Sequence, residues 1–147
     1  MSMKKLFSLL VLLFGIGLNA QEAASVVPNM DPNAADIKFE TEVIDYGTIE
    51  YDANGIREFK FTNTGKSPLT ITSVTGECGC TATTIDGKPG WPTEPILPGK
   101  SGVIKVKYDT KREGRFEKNV TVTSNAKYAS KKVRIKGEIK AKPASAQ

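Results

Sequence analysis

The chain has 147 residues, of which 21 are basic, 16 are acidic and none is histidine, so its formal net charge is +5. The absence of histidine excludes Ser-His-Asp triads, Cys-His pairs and His-ligated metal sites. The length suffices for one domain with a hydrophobic core, and abundant Thr, Val and Ile between Gly and Pro residues indicate strands joined by turns.

The first 20 residues have the pattern of a signal peptide. Lys4 and Lys5 precede an apolar run over residues 6–18, and Leu18-Asn19-Ala20 forms a small-residue cleavage site. The apolar run is shorter than the roughly 20 residues that a membrane-spanning helix needs. We therefore predict cleavage after Ala20 and a mature chain that is periplasmic or secreted and does not span a membrane. Such compartments are oxidising and allow disulfides.

Both ends of the mature chain lack any periodicity. Residues 21–36 are rich in Ala, Pro, Asn and Asp and predict a flexible leader, while residues 141–147 predict a disordered tail. Residues 37–140 between them should form the folded domain.

The charge of the mature chain is unevenly distributed. Residues 21–99 carry 5 basic and 12 acidic residues, whereas residues 100–147 carry 14 basic and 4 acidic residues. This asymmetry can guide an acidic partner, an anionic surface or weak self-association between copies of the chain. Solvated strand faces would produce the same composition without any partner.

The folded region alternates apolar and polar residues with the period of two that strands require. Phe59 and Phe61 lie two positions apart and should anchor the core. In the next strand Leu69 and Ile71 keep the alternation, but Val74 follows Ile71 by three positions, so a bulge is expected near Ser73. The predicted strands cover residues 37–43, 46–50, 56–62, 69–74, 102–109, 115–124 and 131–140.

Residues 86–99 separate the two groups of strands and contain four prolines and three glycines. They predict a long surface crossing with a type II turn at Pro98-Gly99. About seven short strands over roughly 100 residues predict an all-β fold, an immunoglobulin-like antiparallel β-sandwich, with a small barrel as the alternative.

Several separated motifs between residues 45 and 139 resemble a bacterial family known as domain of unknown function 1573. The resemblance implies an immunoglobulin-like sandwich, related in shape to major sperm protein and cilia-associated domains that share an Asn-Thr-Gly turn. It also implies export in envelope-rich bacteria, but no activity. The motifs are Asp45-Tyr46-Gly47-Thr48-Ile49, Phe59-Lys60-Phe61-Thr62-Asn63-Thr64-Gly65, Pro68-Leu69-Thr70-Ile71, Cys78-Gly79-Cys80-Thr81, Glu94-Pro95-Ile96, Pro98-Gly99 and Gly137.

Cys78 and Cys80 are the only cysteines, and Gly79 separates them. They could form a structural disulfide, which would stabilise weakly because the loop it closes is small. They could instead be a thiol-disulfide redox pair, since a strained bridge is easier to reduce. Two thiolates could also bind Cu(I). The spacing leaves all three readings open.

Two further features predict a binding surface. Trp91, between Gly90 and Pro92, either caps the core or anchors a partner. Lys105, Lys107, Lys132, Arg134, Lys136 and Lys140 all point outward from their predicted strands and suggest one basic face.

These features together predict an exported, non-catalytic binding or structural module of the cell envelope without a cofactor. Its partner would be an envelope protein or an anionic surface polymer rather than nucleic acid, because export separates it from DNA. The alternative is a redox or Cu(I)-binding protein that uses Cys78 and Cys80.

Overall fold

The computed structural model describes residues 27–146, so the predicted signal peptide lies outside the described residues. The described residues form ten strands and one short 3-10 helix. The strands are β1 (Ile37–Phe39), β2 (Val43–Ile49), β3 (Ile56–Asn63), β4 (Ile71–Gly76), β5 (Thr81–Ala82), β6 (Thr84–Ile85), β7 (Lys88–Pro89), β8 (Ser101–Tyr108), β9 (Gly114–Ser124) and β10 (Ser130–Ile139).

Two four-stranded sheets form the predicted immunoglobulin-like sandwich. Sheet I has the order β1-β3-β8-β5, sheet II has the order β2-β10-β9-β4, and β6 and β7 form a separate hairpin. There are ten strands rather than seven, because three short strands, β5, β6 and β7, occupy the crossing between β4 and β8.

The sandwich is antiparallel, as predicted, except at one strand pair, where β2 runs parallel to β10. The chain leaves sheet I after Phe39 and enters sheet II at Val43. The predicted strand over residues 37–43 is therefore split between the two sheets. This change of sheet brings β2 alongside β10 in the same direction.

The core lies between the two inner faces and follows the predicted alternation. Phe59 and Phe61 are completely buried, and so are Ile104, Val106 and Ile135. The β4–β9 ladder shifts register between Ile71 and Ser73, which confirms the predicted bulge. Lys100 N–H donates to Leu97 O at 3.0 Å and Gly99 has a φ of 79°, as a type II turn at Pro98-Gly99 requires.

Residues 34–36 of the predicted flexible leader contact the folded domain. Ala35 is buried and forms a parallel bridge to Ala126, and Lys66 N–H donates to Ala34 O at 3.2 Å. The segment can approach this closely because Gly65 has no side chain; a Cβ there would overlap the backbone of residues 34–36.

The predicted disordered tail also has local structure in its described part. Lys142 N–H donates to Glu113 Oε1 at 2.9 Å, and a 3-10 turn covers Ala144–Ala146. These residues were predicted to be disordered because they are small and polar, which gives no sign of the contact with Glu113.

An aromatic cluster closes one end of the sandwich. The ring of Tyr108 stacks on Phe116 at 3.7 Å, and Tyr46 meets Phe116 edge-on at 5.2 Å. The Tyr46 hydroxyl donates to Gly55 O at 2.7 Å, and the Arg57 guanidinium lies 4.2 Å from the Tyr46 ring centroid. Burial raises the pKa of Tyr46 to about 12, although the Arg57 charge opposes the shift.

The raised pKa of Tyr46 predicts that the free energy of unfolding falls at alkaline pH. The unfolded chain releases this proton near pH 10, whereas the folded chain keeps it until about pH 12. The stabilisation is therefore complete below pH 10 and is lost as the pH rises through 12. By pH 11.5 the loss should be on the order of 2 kcal/mol.

Urea unfolding at pH 9 and pH 11.5 measures this loss. Tyr46→Phe should lose less free energy of unfolding between the two pH values than the native chain does. Tyr128→Phe, which removes an exposed hydroxyl, serves as the control. An identical pH dependence in the native chain and in Tyr46→Phe would contradict the prediction.

Candidate functional site

Cys78 and Cys80 lie in the crossover from β4 of sheet II to β5 of sheet I. Their sulfur atoms are bonded to each other, and their Cα atoms are 5.2 Å apart, within the usual range for a disulfide. Cys80 is buried in the core, whereas Cys78 is half-buried. Bonded sulfurs are not thiolates, so in this form the pair cannot act as a Cu(I) ligand set or as a nucleophile.

The neighbouring Glu77 holds the crossover against β9. Asn119 N–H donates to Glu77 Oε2 at 2.7 Å, and Glu77 N–H donates to Asn119 O at 3.0 Å. The first of these hydrogen bonds lowers the pKa of the Glu77 carboxyl, and the charges of Lys118 and Lys132 act in the same direction. Sequence reasoning missed this positioning role, because Asn119 is distant in the chain.

We expect the disulfide to stabilise the domain only weakly. The double variant Cys78→Ser/Cys80→Ser opens a loop of only a few residues, so the free energy of unfolding should fall by about 1.5 kcal/mol. Urea unfolding of the variant measures this, and the reduced native chain should show the same loss. A variant without a cooperative transition at 25 °C would contradict the prediction.

The predicted basic face is divided between the two sides of the sandwich. Lys105 and Lys107 lie on β8 of sheet I, whereas Lys132, Arg134 and Lys136 lie on β10 of sheet II. All five side chains point outward, as predicted, but the outer faces of the two sheets point in opposite directions. The prediction of one basic surface is therefore wrong.

The basic residues on sheet II are accompanied by acidic residues. Arg134 pairs with Glu117 at 2.7 Å, Lys136 pairs with Asp45 at 3.7 Å, and Lys132 lies close enough to Glu77 to lower the pKa of its carboxyl. The positive charge on this face is thus largely compensated within the chain.

The charge asymmetry along the chain is also compensated within one molecule. Lys131 pairs with Glu42 at 3.0 Å, Lys136 pairs with Asp45, and Lys140 pairs with Glu50. These three pairs follow the parallel β2–β10 ladder and join the acidic first half to the basic second half. A second copy of the chain is not needed to explain the asymmetry.

The outer face of sheet I retains a surplus of positive charge. Outward lysines occupy β1, β3 and β8, three of the four strands of sheet I, and the acidic residues beside them are Glu58 and Glu40. Glu58 pairs with Lys105 at 3.5 Å, and both side chains are about half exposed. We call the four residues Lys38, Lys60, Lys105 and Lys107 the lysine face. Within residues 27–146, only Lys105 of these four forms an ion pair.

A hairpin covers one end of the lysine face, where the sequence predicted only an irregular crossing. Asp86 and Gly87 both have positive φ, 52° and 75°, as in the type I′ turns that join antiparallel strands. The Asp-Gly pair was the available signal, but the prolines that follow it obscured the hairpin.

Gly90 attaches this hairpin to sheet I. Gly90 N–H donates to Thr83 O at 2.8 Å, and Lys105 N–H donates to Gly90 O at 2.6 Å. A Cβ at position 90 would overlap the Lys105 carbonyl oxygen, so the close approach requires glycine. The backbone therefore places the following residue, Trp91, beside β8.

Trp91 takes one of the two roles that the sequence left as alternatives, because it packs against the core; its role as a partner anchor stays a prediction. Its half-buried side chain packs against the hydrophobic core and also lines a pocket of about 580 Å³ between the hairpin and β8. Lys105 lies in the same pocket, whereas Lys132, Arg134 and Lys136 are on the other side of the sandwich. The pocket is lined by Ile85, Asp86, Lys88, Pro89, Gly90, Trp91, Pro92, Val103 and Lys105.

Within residues 27–146, no three His, Cys, Asp or Glu side chains are grouped so that they could hold a metal ion. Over the same residues, no helix has the length and apolar character needed to cross a membrane.

Comparison with known proteins identifies a family and a fold. Residues 37–139 match the family described as protein of unknown function (DUF1573). No curated protein matches the chain.

Three solved structures are similar to the chain. A protein of unknown function from Porphyromonas gingivalis W83 has a TM-score of 0.59 at 16% identity, covering 73% of this chain and 48% of that chain. The ASH/PapD-like domain 7 of human CEP192 has a TM-score of 0.57 at 10% identity, and the match covers 78% of this chain and 93% of that chain. The secreted serine protease VesC from Vibrio cholerae has a TM-score of 0.54 at 13% identity, and the match covers 76% of this chain and 25% of that chain. The chain thus spans less than half of the Porphyromonas protein, and at these identities the similarity shows the fold alone.

Proposed function

Because the chain belongs to the DUF1573 family, described only as proteins of unknown function, we propose a function from its surfaces. The chain is an exported, non-catalytic binding or structural module of the bacterial cell envelope. Its lysine face holds an anionic surface polymer. The observation that carries this proposal is that three of the four lysines on sheet I form no ion pair within residues 27–146, in contrast to the compensated charges on sheet II.

The arrangement of the lysine face favours a polymer over a single small anion. Neighbouring strands lie about 4.8 Å apart, so lysines on β1, β3 and β8 are spread over roughly 10 Å across the sheet. One small anion cannot contact all of them. A chain of repeated negative charges can, and the separate weak contacts then add up to a useful affinity.

The sheet edges are less suited to binding than the face. The edge of β4 is blocked where Thr83 Oγ1 donates to Val74 O at 2.7 Å. On β2, Gly47 has a φ of 64° and the ladder to β10 is irregular beside it. Short, blocked or bent edges resist the addition of a further strand.

Export is supported by the signal-peptide pattern of residues 1–20 and by the disulfide, which persists in oxidising compartments. An envelope location would bring the lysine face into contact with the anionic polymers of the cell surface.

Binding of the exported chain to isolated envelope polymer tests the proposal. Cosedimentation should detect retention at about 0.05 M NaCl and its loss by about 0.5 M, because the contacts are exposed and are screened by salt. A neutral polysaccharide of similar size is the control and should retain nothing. Retention that does not depend on salt, or no retention at low salt, would contradict the proposal.

A further inference from the structure

The pocket beside Trp91 differs from the rest of the lysine face because it combines apolar walls with two lysines. Its volume of about 580 Å³ lies within the range of small-molecule sites. A flat lysine surface could bind any polyanion. A pocket with a fixed aromatic wall can also select its ligand by the shape of the unit that carries the charge.

The apolar wall is preorganised. The two hydrogen bonds of Gly90 attach the hairpin to β8, and the core supports part of Trp91. Pro89 and Pro92 extend this wall on either side of the tryptophan. A half-buried indole with rigid neighbours loses little conformational freedom on binding, which favours a flat apolar ligand surface such as the face of a sugar ring.

The charge of the pocket favours an anionic sugar. Lys88 and Lys105 both line it, and Asp86 at the turn leaves a net charge of one positive unit. Lys88 takes part in no ion pair within residues 27–146, and Lys105 forms only a 3.5 Å pair with Glu58 in which both side chains are about half exposed. Both ammonium groups can therefore turn toward a carboxylate.

We propose that this pocket binds one acidic sugar unit of the polymer, with its ring against Trp91 and its carboxylate between Lys88 and Lys105. This inference rests on the proposed function, since the polymer is the one held by the lysine face. It adds that the polymer is a polysaccharide with carboxylated rings.

Trp91 is the only tryptophan in the chain, so its fluorescence reports directly on the pocket. Three polymers, each added to the full exported chain, distinguish the contribution of the sugar ring to binding from that of the negative charge. Polygalacturonate has carboxylated rings, its methyl ester has the same rings without charge, and polyacrylate has the charge without rings. We expect only polygalacturonate to change the emission of Trp91.

A pair of variants that each remove one charge gives the second readout. Lys88→Ala should weaken polygalacturonate binding roughly three- to fivefold, the effect of one exposed charge contact. The control Lys132→Ala removes one charge from β10 of sheet II, on the other side of the sandwich, and should weaken binding less than twofold.

The other outcomes overturn the inference in distinguishable ways. An equal emission change with the methyl ester or with polyacrylate would show that the pocket does not read a carboxylated ring. If Lys88→Ala and its control variant lost polygalacturonate affinity equally, the pocket would likewise not be the site that binds a carboxylated ring. Cosedimentation with polygalacturonate without any emission change would overturn the pocket but leave the proposed function standing. If no anionic polymer cosediments with the chain, the proposed function fails as well.

Discussion

Asn63→Ala should lower the free energy of unfolding by about 3 to 4 kcal/mol, because several buried polar groups lose their partners together. The Asn63 side chain is completely buried. Its Nδ2 donates to Ser67 O at 2.8 Å and to Ile96 O at 2.9 Å, and its Oδ1 accepts from Gly65 N–H at 2.9 Å and from Asp36 N–H at 3.4 Å. One side chain thus joins β3 to the leader, to the following turn and to the crossing before β8.

Asn125→Ala is the matched control for this prediction. The Asn125 side chain likewise bonds to the backbone, accepting from Thr70 N–H at 2.8 Å and donating to Pro68 O at 3.0 Å. Unlike Asn63, it is exposed. Water can replace its contacts, so the loss should be about 1 kcal/mol or less. Urea unfolding of both variants decides the matter. Equal losses would mean that the burial of Asn63 contributes nothing to its role.

The triple variant Lys60→Glu/Lys105→Glu/Lys107→Glu should bind the anionic polymer roughly 30- to 100-fold more weakly than the native chain. Each reversal removes one attraction and adds one repulsion, and three such changes at about 0.7 to 0.9 kcal/mol each give this range. Cosedimentation at about 0.05 M NaCl, where screening is weak, is the measurement.

The control triple Lys132→Glu/Arg134→Glu/Lys136→Glu changes the net charge of the protein by the same amount on the opposite side. We expect it to weaken binding less than threefold, because long-range repulsion is screened beyond roughly 10 Å. Its broken ion pairs are exposed and contribute little to stability. If both triples lost affinity equally, binding would follow net charge alone and the lysine face would not be the site.

The core could be predicted well from the sequence because burial leaves a local signal. In each long strand, alternate residues face the core, so Phe59, Phe61, Val133 and Ile135 could be assigned from the period of two. The bulge before Val74 could be predicted for the same reason, since a shift of the strand register by one residue interrupts the alternation of apolar and polar residues.

Two features of the fold carried weaker signals. The change of sheet between Phe39 and Val43 interrupts a stretch that alternates almost continuously, so the sequence suggests one strand. The β6–β7 hairpin has an Asp-Gly turn, but its strands are only two residues long and one of them contains Pro89, which argues against a strand.

The candidate site could be predicted only as a list of residues. Trp91 and Lys105 were both assigned to a binding surface, and the structure brings them into one pocket. Lys132, Arg134 and Lys136 were assigned to the same surface and lie on the other side. Alternation shows that a side chain points outward, but the direction depends on the sheet to which its strand belongs.

By itself, the sequence determined the all-β class and the residues of the core, because these follow from composition and from the local period of side chains. Only the tertiary structure decided which charges are compensated, since the β2–β10 ion pairs join residues far apart in the chain. It also decided that Lys88, Trp91 and Lys105 share a pocket. Such contacts depend on sheet order and chain crossing, which no local pattern of residues encodes.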